Sequence, residues 1–167
     1  MRVLSWNCRG MGSPSAVLQC KKKAQDSRPD IMFLMETRLD KDKGKQLLEE
    51  CGFMEGWEVP RKGLSGGLLL GWMSPYKLNV LYSTNHLIHA NLLDTRGNPL
   101  SISFIYGHPT QSKRHIVWSD LIAISRIAHK NWLCIGDLTK SSLIMISLGS
   151  NIERLRVLSH LDKLCLS

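Results

Sequence analysis

The stretch Pro29-Asp30-Ile31-Met32-Phe33-Leu34-Met35-Glu36-Thr37-Arg38 decides the reading of the fold. Five apolar residues stand in an unbroken run, with a turn signal before them and a charge after them. A surface strand would alternate apolar with polar; a continuous run of this length suits a strand buried on both faces. Arg28-Pro29-Asp30 breaks whatever precedes it, and Glu36 marks the strand end as a polar position at the rim of a sheet.

Working outward, Arg2–Trp6 is a second short apolar segment, closed by Asn7 and the glycines Gly10 and Gly12. It reads as a strand running into a loop. Pro14 and Ser15 open a helix through about Ala24. Lys41–Cys51 has helical spacing, with Leu47 and Leu48 inward and Gly52 as the stop. Phe53–Val59 is a weak strand and Lys62–Gly67 a Gly-rich turn. Leu68–Trp72, Leu78–Tyr82 and Leu87–Leu93 follow as strands, and Arg96-Gly97-Asn98 turns the chain into Leu100–Tyr106. Gly107-His108-Pro109 stops that strand. Ser112–Ala128 reads as a helix with Ile116, Leu121, Ile124 and Ile127 near one face. Trp132–Ile135 is a buried strand ending at Gly136-Asp137. Beyond Ser141 the pattern degrades and no clear sheet logic continues. The order predicts a mixed α/β domain with helices covering sheet faces.

Composition bounds the function classes. The 167 residues are 43% hydrophobic, enough for a core and too many for a disordered segment. No apolar run reaches the roughly 18–20 residues that span a bilayer, and the N-terminus has no signal-peptide pattern. The expectation is a soluble intracellular protein with no membrane partner and no small-molecule cofactor. Five widely spaced cysteines with no Cys-x-x-Cys pair argue against a disulfide framework and a zinc site. The net charge of +8 permits a polyanionic partner such as nucleic acid. Lys21-Lys22-Lys23 and the mixed run Arg38–Lys45, each alone, read as solvated surface.

The chemistry concentrates at strand ends. Asn7, Glu36 and Asp137 each terminate a buried-looking strand, and Tyr106 terminates another with His108 nearby. Carboxylates at strand ends can share one rim, and Mg2+ favours one or two carboxylates with neutral oxygens, water and phosphate. An amide and a phenol can donate to phosphate oxygens. Taken singly, each has a plainer reading: turn former or helix cap for the carboxylates, turn residue for Asn7, half-buried core for Tyr106, loop residue for His108.

Five segments in order carry a resemblance: Leu-Ser-Trp-Asn-Cys-Arg-Gly (4–10), Pro-Asp-Ile-Met-Phe-Leu-Met-Glu-Thr-Arg (29–38), Gly-Leu-Ser-Gly-Gly-Leu-Leu-Leu (63–70), Phe-Ile-Tyr-Gly-His-Pro (104–109) and Trp-Leu-Cys-Ile-Gly-Asp (132–137). Together they resemble the endonuclease/exonuclease/phosphatase (DNase I-like) superfamily. Within it, the likeness is to the endonuclease domain of plant LINE-type non-LTR retrotransposons. The resemblance covers about Met1 to Asp137. It implies a four-layer α/β sandwich, two β-sheets flanked by helices, and Mg2+-dependent hydrolysis of DNA phosphodiesters, with Mn2+ as a substitute ion. By motif, it implies that Asn7 orients phosphate and carboxylates, Glu36 binds the metal, Tyr106 contacts phosphate and Asp137 activates the attacking water. Such a protein nicks target DNA and would work in the nucleus.

Two departures follow from the same comparison. The family's Gly-Asp-Phe-Asn reads Gly136-Asp137-Leu138-Thr139, so a hydroxyl stands where the second catalytic Asn is expected. The closing Ser-Asp-His motif is missing, and Ser159-His160-Leu161-Asp162 has its letters in the wrong order. The expectation is therefore a partial domain over 1–140, incomplete at the C-terminus, with a divergent tail over 141–167. It is read as an inactive relic of an endonuclease, or alternatively as a non-catalytic, basic nucleic-acid-binding remnant.

Overall fold

The computed structural model describes the backbone of residues 1–108, 110–139, 141–148, 152–153 and 164–165, and side chains as far as Asp137. Ser159, His160 and Asp162 lie outside the described residues, as do Pro109 and the side chain of Thr139. The chain forms two compact units, Met1–Lys77 with 160–167, and Leu78–Ser159.

The first unit is built on β1 (Arg2–Asn7) and β2 (Ile31–Met35), which pair in parallel with Asn7 opposite Met35. A parallel pair needs a long crossover, and α1 (Pro14–Ser27) supplies it. Ser13 caps that helix, its side chain accepting from the Ala16 amide at 3.2 Å, and Pro14 follows at the first turn. Such a cap contributes about 1 kcal/mol. Arg28 ends the helix in a left-handed conformation, its amide bonded to the Ala24 carbonyl. The helix α2 (Lys43–Glu50) begins without a cap from Asp42; instead the Glu58 carboxylate accepts from the Asp42 and Gly44 amides, both at 3.1 Å. A carboxylate there satisfies orphan N–H groups and meets the positive end of the helix. Gly52 stops the helix in the expected way, at φ +91° with its amide on the Glu49 carbonyl.

Two antiparallel strands complete this sheet beside β2, namely β4 (Leu68–Trp72) and, at its far edge, β3 (Glu55–Val59). All five residues of β2 are buried. Met32 and Leu34 join Leu47, Leu48, Phe53, Leu69, Cys20 and Ala24 in one cluster between sheet and helices. Burial of a Leu, Met or Phe of this kind stabilises by about 1.5–3 kcal/mol. Phe53 was expected to open β3; it is buried in that cluster and the strand starts at Glu55.

The second unit is a mixed sheet ordered β10-β9-β8-β7-β6-β5, with β5 (Asn79–Ser83), β6 (Leu87–Leu93), β7 (Pro99–Tyr106), β8 (Asn131–Thr139), β9 (Ser141–Leu148) and β10 (Ile152–Glu153). A last two-residue strand, β11 (Leu164–Cys165), pairs with β1. β7 and β8 are parallel, joined through a 3-10 turn and α3 (Arg114–Ser125). The buried face of α3 is Val117, Leu121 and Ile124, against Leu87, Ile105, Trp132 and Cys134. The expected face is thereby corrected. Ile116 lies about 100° around the helix from Val117 and is exposed, and Ile127 falls beyond its end.

The expectation that sheet pairing ends near Ser141 is also corrected. β9 pairs antiparallel with β8 from Ser141 opposite Thr139 to Leu148 opposite Asn131. Positions 143–148 read as apolar, but a short apolar run without a clear break before it cannot be told from a buried helical segment by periodicity. In class the fold is as expected: α/β, two mixed sheets carrying helices.

A buried polar thread crosses the helix-covered face of the second sheet. Trp132 Nε1 donates to Ser103 Oγ at 2.9 Å, and Ser103 Oγ lies 2.9 Å from His89 Nδ1. The Ser103 hydroxyl thus links the indole to the imidazole of His89 within the sheet. Burial, with the neighbouring His129, pushes the His89 pKa down to about 4 from 6.5. The folded protein therefore holds His89 neutral where the unfolded chain takes up a proton. Stability from this group is intact above pH 6.5 and is lost as pH falls toward 4. Thermal melts between pH 7 and 4.5 should show a drop in Tm that is several degrees smaller in His89→Leu; equal drops would contradict the assignment.

Candidate functional site

Asn7 and Glu36 are brought together by the parallel pairing of β1 and β2. Asn7 is the last residue of β1, and Glu36 is the first residue past β2. The Asn7 amide donates to a Glu36 carboxylate oxygen at 3.3 Å, while its own side-chain oxygen accepts from the Arg9 amide at 3.2 Å. That second bond fixes which way the amide points. The other Glu36 oxygen lies 3.8 Å from the guanidinium of Arg38. Glu36 is 22% exposed and Arg38 51%, so this ion pair is largely solvated and adds well under 1 kcal/mol.

The backbone around the pair is unusual. Arg9, Glu36 and Arg38 all have φ near +55°, a left-handed conformation that non-glycine residues seldom adopt. Such residues cost about 1–3 kcal/mol each and persist where the surroundings over-determine them. Here the determinants are visible. The Cys8 amide bonds to the Met35 carbonyl at 3.0 Å and the Met11 amide to the Thr37 carbonyl at 2.8 Å, which ties the loop after β1 to the loop after β2. On the other side, the Thr37 amide bonds to the Gly67 carbonyl (3.1 Å), the Arg38 amide to Gly66 (2.9 Å) and the Arg61 amide to Leu39 (3.2 Å). Glu36 therefore sits on a strand of loop held from both edges.

The Gly-rich motif gains a physical role from this. Gly67 has φ +90°, and a Cβ there would stand 2.5 Å from Thr37 Oγ1 and 3.1 Å from the Arg38 amide. Only glycine lets the two loops approach so closely. The signal for this was in the sequence as a turn, but its partner loop was not.

Cys8, between Asn7 and Arg9, is not a nucleophile. Burial, aided by the charge of Glu36, pushes its pKa up to about 11, and its thiol donates to the Met35 carbonyl at 3.1 Å. It remains a thiol at neutral pH.

In the second unit, Tyr106 ends β7 and is the direct register partner of Asp137, which lies within β8: the strand expected to end at Gly136-Asp137 continues to Thr139 because β9 pairs with it. The Gly107 amide also bonds to the Asp137 carbonyl. Gly136 makes the approach possible: at φ +147°, its Cβ would fall 1.8 Å from the Ile105 carbonyl oxygen. Thr139 closes β8 opposite Ser141, after an irregularity in register between Asp137 and Thr139.

Sequence reading missed His86. It precedes β6, its carbonyl accepts from the Tyr106 amide at 2.8 Å, and its Nδ1 lies 3.3 Å from the Tyr106 carbonyl. Its ring stacks 6.0 Å from Tyr106 and lies 4.7 Å from His108. No motif marked it, because its position depends on strand pairing across 20 residues. His108, read as a loop residue, is in the loop after β7, where its Nδ1 accepts from the Thr110 amide at 3.0 Å.

Within each unit, parallel strand pairing brings polar residues together, Asn7 with Glu36 in the first and Tyr106 with Asp137 in the second. In fold the chain is similar to solved endonuclease and exonuclease structures. The endonuclease domain of TRAS1, a telomere-specific non-LTR retrotransposon, is similar at TM-score 0.59 and 13% identity, over 81% of this chain and 59% of that one. An AP endonuclease from Archaeoglobus fulgidus is similar at TM-score 0.58 and 14% identity, over 83% and 57%. The 3'-5' exonuclease NExo from Neisseria meningitidis is similar at TM-score 0.56 and 16% identity, over 83% and 57%. The chain thus spans under two thirds of the length of these structures. No protein-family model matches the sequence, and no curated protein does. Among the described residues no helix is long and apolar enough to cross a membrane.

The close approach at Gly136 yields a direct test. Gly136→Ala places a methyl group against backbone that cannot move aside, and should destabilise the protein by about 3 kcal/mol. Chemical denaturation should show this as a lowered midpoint at unchanged slope; an unchanged midpoint would contradict the β7–β8 packing described.

Proposed function

We propose that this chain is the endonuclease-type domain of a non-LTR retrotransposon of the plant LINE kind. By the motifs it shares with that family, its activity would be Mg2+-dependent hydrolysis of a DNA phosphodiester, impaired by Thr139 in place of the second Asn and by the lack of the Asp-His pair. The observation that carries the reading is the Asn7 amide donating to the Glu36 carboxylate at 3.3 Å, on a backbone held in a left-handed conformation. A half-buried carboxylate oriented by an amide suits a hard, water-retaining ion. Glu36 would hold Mg2+, or Mn2+ in its place. The ion would polarise a phosphoryl oxygen and steady the leaving oxygen.

The chain's own residues have distinct tasks in this proposal. Asn7 keeps the Glu36 carboxylate in one rotamer. Tyr106 offers its phenol O–H to a phosphate oxygen, and the His86 ring stacked beside it limits its swing. Asp137 accepts the proton of the attacking water. Arg9 and Arg38, both exposed, supply positive charge beside the Asn7–Glu36 pair for a polyanionic strand. DNA is the proposed partner, and the nucleus is where such an activity would meet it.

Thr139 is the weak point. An amide can donate and accept at once, whereas the shorter Thr hydroxyl cannot reproduce that pattern. Loss of one such donor slows related chemistry by about 10²–10³-fold. Purified protein should therefore nick supercoiled plasmid in Mg2+ barely above background. Thr139→Asn should raise nicking at least tenfold, and Glu36→Ala in that variant should abolish it. Robust nicking by the natural sequence would overturn the impairment, and nicking insensitive to Glu36→Ala would overturn the site.

The net charge of +8 favours a second reading, a non-catalytic nucleic-acid-binding module. It expects DNA binding that weakens steeply with salt yet ignores Mg2+ and Glu36. Binding isotherms at two salt concentrations, with and without Mg2+, separate the two readings.

A further inference from the structure

We propose that Cys20 and Cys51 form a redox-active pair, a modification site that a hydroperoxide closes to a disulfide between α1 and the end of α2. Their sulfurs stand 3.7 Å apart in hydrogen-bond contact, although 31 positions separate them in sequence. Cys20 is fully buried in the middle of α1, on the face that packs against the sheet. Cys51 is the C-terminal cap of α2 and is partly exposed, packed against the same cluster. Gly52 follows it at φ +91°. Cys51 is thus the more exposed of the two, with the Cys20 sulfur in contact behind it.

The chemistry of the two thiols differs in the useful direction. The hydrogen bond from Cys20 draws the Cys51 pKa below that of an ordinary thiol, working against burial and assisted by the Lys21 ammonium. Giving that bond, together with burial, pushes Cys20 up. Cys51 is therefore the sulfur that ionises and attacks.

The step balances with one hydroperoxide as oxidant. The Cys51 thiolate attacks a peroxide oxygen; the S–O bond forms, the O–O bond breaks, and the departing oxygen takes the proton Cys51 released and leaves as water. Cys20 then attacks the Cys51 sulfur. The S–S bond forms, the S–O bond breaks, and the hydroxide carries off the Cys20 proton as a second water. Two thiols are oxidised by two electrons and one hydrogen peroxide is reduced to two waters. The sulfurs close from 3.7 Å to about 2.05 Å. A cross-link between positions so far apart in sequence restricts the unfolded chain and tightens the helix layer over the sheet that carries Asn7 and Glu36.

The test uses the whole chain. The reduced protein is treated with equimolar hydrogen peroxide, alkylated, run on a non-reducing gel, and the monomer band digested with trypsin. The expected product is peptide Gly10–Lys21 joined to Gln46–Arg61, separable by dithiothreitol, with Tm raised by several degrees in the oxidised protein. In Cys51→Ser the joined peptide should vanish, and Cys20 should be alkylated only after unfolding. Both cysteines recovered alkylated, Cys51 recovered as sulfinic acid, or Cys51 joined to another cysteine would each overturn the proposal.

Discussion

The structure of the candidate site depends on one constraint: the loop that carries Glu36 is hydrogen-bonded along both edges. On one side it is tied to the loop after β1 through Cys8 and Met11; on the other it is tied to the Gly-rich loop through Gly66, Gly67 and Arg61. Without those bonds the left-handed φ of Glu36 and Arg38 would relax, since each costs about 1–3 kcal/mol. The carboxylate would then lose its fixed relation to the Asn7 amide. The core below makes the arrangement firm. β2 is buried along its whole length, so the strand cannot slip in register without moving its apolar side chains out of the helix-side cluster.

The same logic places the second pair of residues. Tyr106 and Asp137 are register partners because β7 and β8 run parallel, and they run parallel because α3 packs its Val117, Leu121 and Ile124 face onto the sheet during the crossover. Gly136 lets the strands close at the residue before the acid. In both units a helical crossover between parallel strands brings polar residues of neighbouring strands together.

Much of this was legible in the sequence, for reasons that differ by element. β2, β4 and β6 were read to the residue, since apolar-rich runs between turn signals leave little freedom in placing their ends. Asn7, Glu36 and Tyr106 were legible as strand-end residues, whereas Asp137, read as one, lies within β8. The α3 face was misjudged at Ile116 and Ile127, because apolar residues on several sides of that helix blur a single stripe. β9 was missed because its short apolar run has no clear break before it and cannot be told from a buried helical segment by periodicity. His86, the Glu58 cap of α2 and the Cys20–Cys51 contact were invisible, because each depends on tertiary pairing between distant positions. The conformation of Glu36 was likewise hidden: no local signal asks a glutamate to be left-handed, and only the two flanking loops explain it.

In the proposed function, Glu36, held by Asn7, is the metal-binding carboxylate. The most direct measurement is a Mg2+ titration followed by backbone amide NMR on the natural protein and on Glu36→Ala. The account predicts saturable shifts confined mainly to residues 7–11 and 35–38, absent in Glu36→Ala while the rest of the spectrum stays folded. Shifts that persist in Glu36→Ala, or no shifts in the natural protein at millimolar Mg2+, would contradict it.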